Sequence, residues 1–323
     1  MILESFLILA FALGLDFFAG DPRNKFHPTA WIGGMISRII TYRSSGSSLV
    51  QKMSGMISVF IVLGIVLLVL FVIYLAVALI FFDVIGIIVS VILGSILLKT
   101  TIAIRGMERH AINVVRFIEN DDLGSARASL SMIVKRDTSN LDRNHILSGV
   151  LESVSENTVD GITGPLFYFG LFGIFGAFAY RVINTFDSMI GYKTPAFRDL
   201  GWFAANCDKI LNYIPSRLTG LIMILGSFIL KNDWRQSYHI MIRDSSKPES
   251  PNAGYPMAAL AGALNTKFEK IDHYKIGDGI AELDVSHIKS SIALMKITSV
   301  LFCGMVTIPM ILLLYYLGWW IHA

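Results

Sequence analysis

The sequence predicts an all-α fold: a polytopic helical membrane protein with amphipathic helices on its cytoplasmic side. Three observations carry this. Of the 323 residues, 54% are hydrophobic and only 16% charged, against roughly 25% charged in an ordinary soluble domain. Charge-free runs reach the roughly 20 residues needed to cross a bilayer. Alternating β-branched runs bounded by turn dipeptides, the mark of strands, are scarce. The length would suit about two soluble domains, but a membrane protein needs no all-round polar coat. A single integral-membrane domain over residues 1–323 is the simpler reading.

The first expected span is 2–20. It lacks a basic n-region, carries Glu4 and Asp16 and offers no small-residue cleavage site, so it reads as retained rather than as a removable signal. Residues 56–82 contain no charge and form the clearest span. Asp83 interrupts the hydrophobicity before 84–98, which predicts a tight helical hairpin with Asp83 at the water boundary. The last clear run is 297–321, with Pro309 as an expected kink. Tyr315, Tyr316, Trp319 and Trp320 at its end suit an interfacial aromatic belt. Two weaker runs, 165–180 and 217–230, are long enough only for a short tilted span, a re-entrant segment or a buried helix.

Between the spans, 99–161 mixes charge with apolar periodicity at Ile112, Val115, Ile118, Leu123, Leu130 and Ile133, the pattern of amphipathic helices. Segments 21–55, 99–161 and 231–290 all bear Lys and Arg, which places them in the cytoplasm. Both termini then lie outside. The net charge of +3 is spread along the chain, without the basic stripe that nucleic acid requires. Cys207 and Cys303 lie too far apart for a CxxC site and imply no disulfide framework.

Four polar segments mix acid, amide and glycine. In GDPRNKFHPTAWIGG, residues 20–34, the glycines and prolines impose a bent path that displays Asp21, Arg23 and His27; its plain reading is a membrane-exit loop with an Asp/Arg pair. In residues 135–168, Glu152, Glu156 and Asp160 fall at i, i+4 and i+8 and stack on one face if the helix persists to Gly161. Such a face is either highly solvated or binds a divalent cation or a cationic substrate, and the adjoining GPLFY argues against full solvation. In YRVINTFDSMIGYK, residues 180–193, Arg181, Asn184 and Asp187 line one side of a helix ending near Gly191. They could hold a phosphate and a metal, or Arg181 could simply snorkel to lipid head groups. In residues 246–268 a Pro/Gly turn precedes a small-residue helix, placing Asn252, Gly254 and Tyr255 where backbone N–H groups meet an anion, or where there is only a turn. No GxxxxGK[ST], GxGxxG, HExxH or GxSxG occurs, so any nucleotide site is not a P-loop.

Taken together, GDP..HP..IG, RDTSNLD, SENTVDG..GPLFY, YRVINTFDSMIGYK, NYIPSRLTG and SPNAGYPMAALAGAL resemble the CobD/CbiB family, in its order and over nearly the whole chain. The resemblance implies a multi-pass cytoplasmic-membrane enzyme of cobalamin biosynthesis, an adenosylcobinamide-phosphate synthase of the acid–amine ligase class. Such an enzyme joins (R)-1-amino-2-propanol or its phosphate to a carboxylate of adenosylcobyric acid, a corrinoid substrate. ATP and Mg²⁺ are its expected cofactors, since a carboxylate must be activated before an amine attacks it; membrane lipid and other cobalamin-assembly enzymes are its expected partners. By position, the resemblance picks out Asp137, Glu156, Asn157, Asp160, Arg181, Asn184, Asp187, Lys193, Asn252 and Tyr255. Glu156, Asp160 and Asp187 are assigned to metal or amine, and Arg181 and Lys193 to phosphate. Asn157, Asn184 and Asn252 are assigned to orientation, while Asp137 and Tyr255 complete the substrate-binding set. Where the family commonly has paired acids before NYIPSRLTG, this chain has Asp208 followed by Lys209, and Asp208 is taken as the significant member. Two other classes stay open: a corrinoid transporter or channel, and a non-catalytic scaffold for corrin enzymes.

Overall fold

The computed structural model describes residues 2–22, 24–41, 46–134, 136–192, 194–271, 273–279 and 282–318. Arg23, Lys193, Trp319 and Trp320 lie outside them. The helices in chain order are α1 (Ile2–Phe18), α2 (Pro28–Thr41), α3 (Ser48–Ile80), α4 (Asp83–Lys99), α5 (Ile104–Glu119), α6 (Leu123–Leu130) and α7 (Arg143–Thr158). They continue with α8 (Gly164–Ile190), α9 (Trp202–Leu211), α10 (Tyr213–Ile229), α11 (Trp234–Asp244) and α12 (Gly254–Ala263). After them come the strands β1 (Phe268–Lys270) and β2 (Tyr274–Ile276), then α13 (Val285–Phe302) and α14 (Ile308–Tyr316). The two strands form a small antiparallel hairpin. The fold is thus a polytopic helical one, as the composition predicts.

Four helical stretches are long and apolar enough to cross a membrane: Ser48–Ile80, Asp83–Glu119, Arg143–Ile190 and Val285–Tyr316. The helical hairpin at Asp83 is present. Helix α3 ends at Ile80, Phe81 and Phe82 are extended, and α4 starts at Asp83, which takes a positive φ of 54°. The first expected span is the 17-residue α1. The weaker run at 217–230 falls in α10, a shorter apolar helix. The run at 165–180 lies in α8, which is broken at Phe172–Gly173, where Gly173 has φ 61° and ψ −150°. That conformation is essentially open only to glycine.

The C-terminal helical run begins earlier than the charge-free stretch because Asp284 caps it. The Asp284 side chain accepts from the backbone N–H of Ser286 and His287, and the His287 ring accepts from the Asp284 N–H, a reciprocal cap that satisfies orphan donors. Pro309 sits in the first turn of α14, directly after the π-helical turn Cys303–Thr307. The missing proline N–H costs the ladder a bond there, and the register shift replaces a simple kink.

The helices cluster into two compact units. The first comprises residues 1–103, 164–211 and 306–323. Within it α1 packs on α4, and α2, α3 and α9 pack with α8. Its core joins Ile36, Val62, Val66, Val182, Phe186 and Ile190. Beyond Leu70 and up to Ser90, no residue of the α3–α4 hairpin is buried. The second unit comprises residues 104–163 and 212–305. In it α12 packs on α10 and α11, α13 packs on α7, α10 and α5, and β1 lies on α7. Helix α5 shows the expected amphipathic pattern, burying Met107, Ala111, Val114, Val115 and Ile118.

Candidate functional site

In the first unit Arg181, Asn184 and Asp187 lie on α8. Helical spacing brings Arg181 and Asn184 together: Arg181 Nη1 donates to Asn184 Oδ1 at 3.2 Å. Arg181 Nη2 donates to the Thr101 carbonyl at 2.8 Å. Asn184, 4% exposed, donates in turn to Asp208 Oδ1 on α9 at 3.2 Å. One turn further along α8, Asp187 is half-buried. Its Oδ1 occupies the space that a side chain at Gly191 would need. The i, i+3, i+6 positions read from the sequence thus lie on one continuous helical stretch, and Asp208 meets that stretch through Asn184. Lys209 is exposed.

The chain just before Thr101 is fixed by charge. Lys99, 5% exposed, lies 3.2 Å from Asp16, which is 0% exposed, and also pairs with Asp21. His27 stands 3.6 Å from Asp21, and Thr29 Oγ1 donates to the Thr100 carbonyl at 3.1 Å. Among the described residues the partners of Asp21 are Lys99 and His27, and the expected partner Arg23 lies outside them. Burial works against its ionisation, but hydrogen bonds from His27 and Lys99 outweigh it and hold the carboxyl down at about 2. None of Asp16, Lys99 or Thr101 was singled out by sequence motif. A carboxylate and an ammonium at the ends of two apolar runs are the signal that could have found the pair.

In the second unit the expected stack of three carboxylates does not form, because α7 ends at Thr158 and passes into the π-helical turn Val159–Thr163. The wider turn takes Asp160 off the i+4 row. Glu152 is buried instead, at 7% exposure. It accepts from Arg136 Nη2 at 3.2 Å, Ser148 Oγ at 3.0 Å and the Tyr274 hydroxyl at 2.7 Å. Burial and the Glu152 charge push the Tyr274 phenol well above its ordinary value, so it serves as a donor. Glu152 is thereby a structural ion-pair residue, while Glu156 is exposed. Half-buried Asp160 accepts from Asn212 Nδ2 at 3.1 Å.

Asn157 turns its amide onto its own helix, donating to the Ser153 carbonyl at 2.9 Å. Asp137 shapes an exposed turn by accepting from the Ser139 N–H and hydroxyl, bonds that lower its carboxyl from the usual range. Asn252 and Tyr255 meet at Arg217, which the sequence reading passed over. The guanidinium lies 3.5 Å from the Tyr213 ring centroid and 4.4 Å from that of Tyr255. Its Nη1 donates to the Tyr213 carbonyl at 2.7 Å and to Asn252 Oδ1 at 3.4 Å. Helix α12 begins at Gly254 with no side-chain cap.

Among the described residues, no three His, Cys, Asp or Glu side chains are grouped to hold a metal ion. A Mg²⁺ carried by nucleotide phosphates needs only one or two carboxylates. Asp160 in the second unit and Asp187 in the first are each a half-buried single carboxylate.

An integral membrane helix assembly with paired amides and carboxylates beside its apolar helices is the class that fold and site define. The family model described as CobD/Cbib protein matches residues 9–295. The chain is 38% identical over 296 residues to the "Probable cobalamin biosynthesis protein CobD" of Methanothermobacter thermautotrophicus, covering 91% of this chain and 94% of that protein. It is 39% identical over 294 residues to the "Cobalamin biosynthesis protein CobD" of Dehalococcoides mccartyi, with 91% and 94% covered. With the "Probable cobalamin biosynthesis protein CobD" of Methanocaldococcus jannaschii it shares 36% over 318 residues, 98% of each chain. No solved structure matches the chain. The chain belongs to the CobD/Cbib protein family.

Proposed function

We propose that this protein is a membrane enzyme of cobalamin biosynthesis that joins (R)-1-amino-2-propanol, or its phosphate, to a carboxylate of adenosylcobyric acid by an amide bond. Family membership supports the pathway, and the names of the relatives agree with it. The observation that favours this chemistry is the pairing of a buried amide with a half-buried carboxylate, Asn184 with Asp208 and Asn212 with Asp160. A carboxylate oriented by an amide can hold an ammonium group and take up its proton as the nitrogen becomes a nucleophile. In this reading ATP supplies the activation of the corrin carboxylate, with Mg²⁺ on its phosphates. Glu156, Asp160 and Asp187 serve the amine or the metal, Arg181 and Lys193 the phosphate, and Asn157, Asn184 and Asn252 orientation. Asp137 and Tyr255 belong to the same substrate-binding set. The polar segments face the cytoplasm.

Reconstitution tests the reading. Purified protein in detergent is given adenosylcobyric acid, either amine and ATP with Mg²⁺, and the products are read by mass spectrometry. Amide formation dependent on nucleotide is the expected result. Corrinoid binding with no amide under any nucleotide condition would make the protein a scaffold.

A further inference from the structure

Arg217 has the features of a built anion-binding group. Its guanidinium lies over two tyrosine rings, 3.5 Å from the Tyr213 centroid and 4.4 Å from that of Tyr255. Stacking on ring faces consumes no N–H donor. Only Nη1 is engaged, by the Tyr213 carbonyl and Asn252 Oδ1. Among the described residues Nε and Nη2 have no hydrogen-bond partner, and no carboxylate forms an ion pair with this charge. The geometry contrasts with that of Arg181, whose Nη1 and Nη2 both donate within the first unit. A guanidinium held against two rings and bonded through Nη1 has lost the freedom to snorkel. Its remaining Nε/Nη2 edge is the fork that meets two oxygens of a phosphoryl group.

We propose that Arg217, set by Tyr213, Tyr255 and Asn252, is a phosphoryl-binding residue of the second unit. The proposal rests on the reading above for the source of the phosphoryl group, either the nucleotide or the aminopropanol phosphate. Its ligand class is a phosphate ester or anhydride, bound through two oxygens.

The test uses the wild-type full chain in detergent micelles. Phenylglyoxal modifies accessible guanidinium groups, and mass spectrometry follows the peptide that carries Arg217. At least a five-fold slower modification is expected with ATP–Mg²⁺ or with 1-amino-2-propanol phosphate, and whichever probe protects identifies the source. Free 1-amino-2-propanol and adenosylcobyric acid should leave the rate unchanged. No protection by either phosphate-bearing probe overturns the proposal, as does equal protection by the phosphate-free ligands. In a second arm, Arg217→Lys should weaken the protecting probe at least ten-fold while the affinity for adenosylcobyric acid stays within two-fold. Unaltered affinity for that probe in Arg217→Lys overturns the assignment, and a variant that fails to fold leaves the protection arm to decide. Protection of Arg217 in a protein that forms no amide would keep this site and remove the proposed reaction. Amide formation without protection would do the reverse.

Discussion

Lys99 holds two carboxylates at once, and removing it takes an ammonium group away from buried Asp16 and from Asp21. Breaking a buried ion pair costs about 3–5 kcal/mol, so Lys99→Met should lose much of its thermal stability in detergent, while Lys99→Arg loses less. Asp21 adds a pH term. Its folded value of about 2 lies below the ordinary 3.8, so its contribution of about 2 kcal/mol is complete above pH 4 and disappears as pH falls through about 2. Acid unfolding curves of wild type and Asp21→Asn should converge at the acid end. At the proposed site, Glu156→Gln and Asp160→Asn should each lower turnover by about 100-fold or more with the protein still expressed, the scale of a lost proton-transfer group. Near-normal turnover in both would return these residues to a structural role. The sequence showed the Arg181–Asn184–Asp187 face because its members are one helical turn apart. It did not show the Arg217 clamp, because Asn252 and Tyr255 stand more than thirty residues away in sequence, and only the packing of α12 on α10 brings them in.

The charge-free runs of α3 and α4 and the acid between them made that hairpin legible before any coordinates. The β1–β2 hairpin was not legible, since three-residue strands are too short for a period-2 pattern to emerge. The carboxylate stack failed for a related reason: spacing assumes a uniform α-helix, and a π-helical turn leaves no mark in residue type. In α8 the break is carried by Gly173. A side chain there is strained in this backbone region by about 1–3 kcal/mol. Gly173→Ala should lower the unfolding temperature in detergent, whereas Ala179→Gly, within the following helical segment, should cost only about 1 kcal/mol. Equal losses for the two would show that the break at 172–173 is not maintained in solution.

Across the whole chain, positive charge sets the expected orientation, with 99–161 and 231–290 on the cytoplasmic side. Single cysteines at the exposed positions Asn120 and Glu249, in a background lacking Cys207 and Cys303, should resist impermeant maleimide added outside sealed cells and react after lysis. Labelling of either from outside would reverse the arrangement. What composition could not reveal is the interleaving, in which each compact unit is assembled from separated stretches of chain, because such contacts depend on packing and not on local pattern. The outer end of the α3–α4 hairpin carries a different consequence. None of residues 71–90 is buried by the rest of the protein, and ten residues per arm extend about 15 Å at the helical rise. Their position answers to the surrounding lipid, whose thickness each arm must match at a cost of a fraction of a kcal/mol per Å of mismatch. Matching of that kind would tie the hairpin to membranes of a suitable thickness.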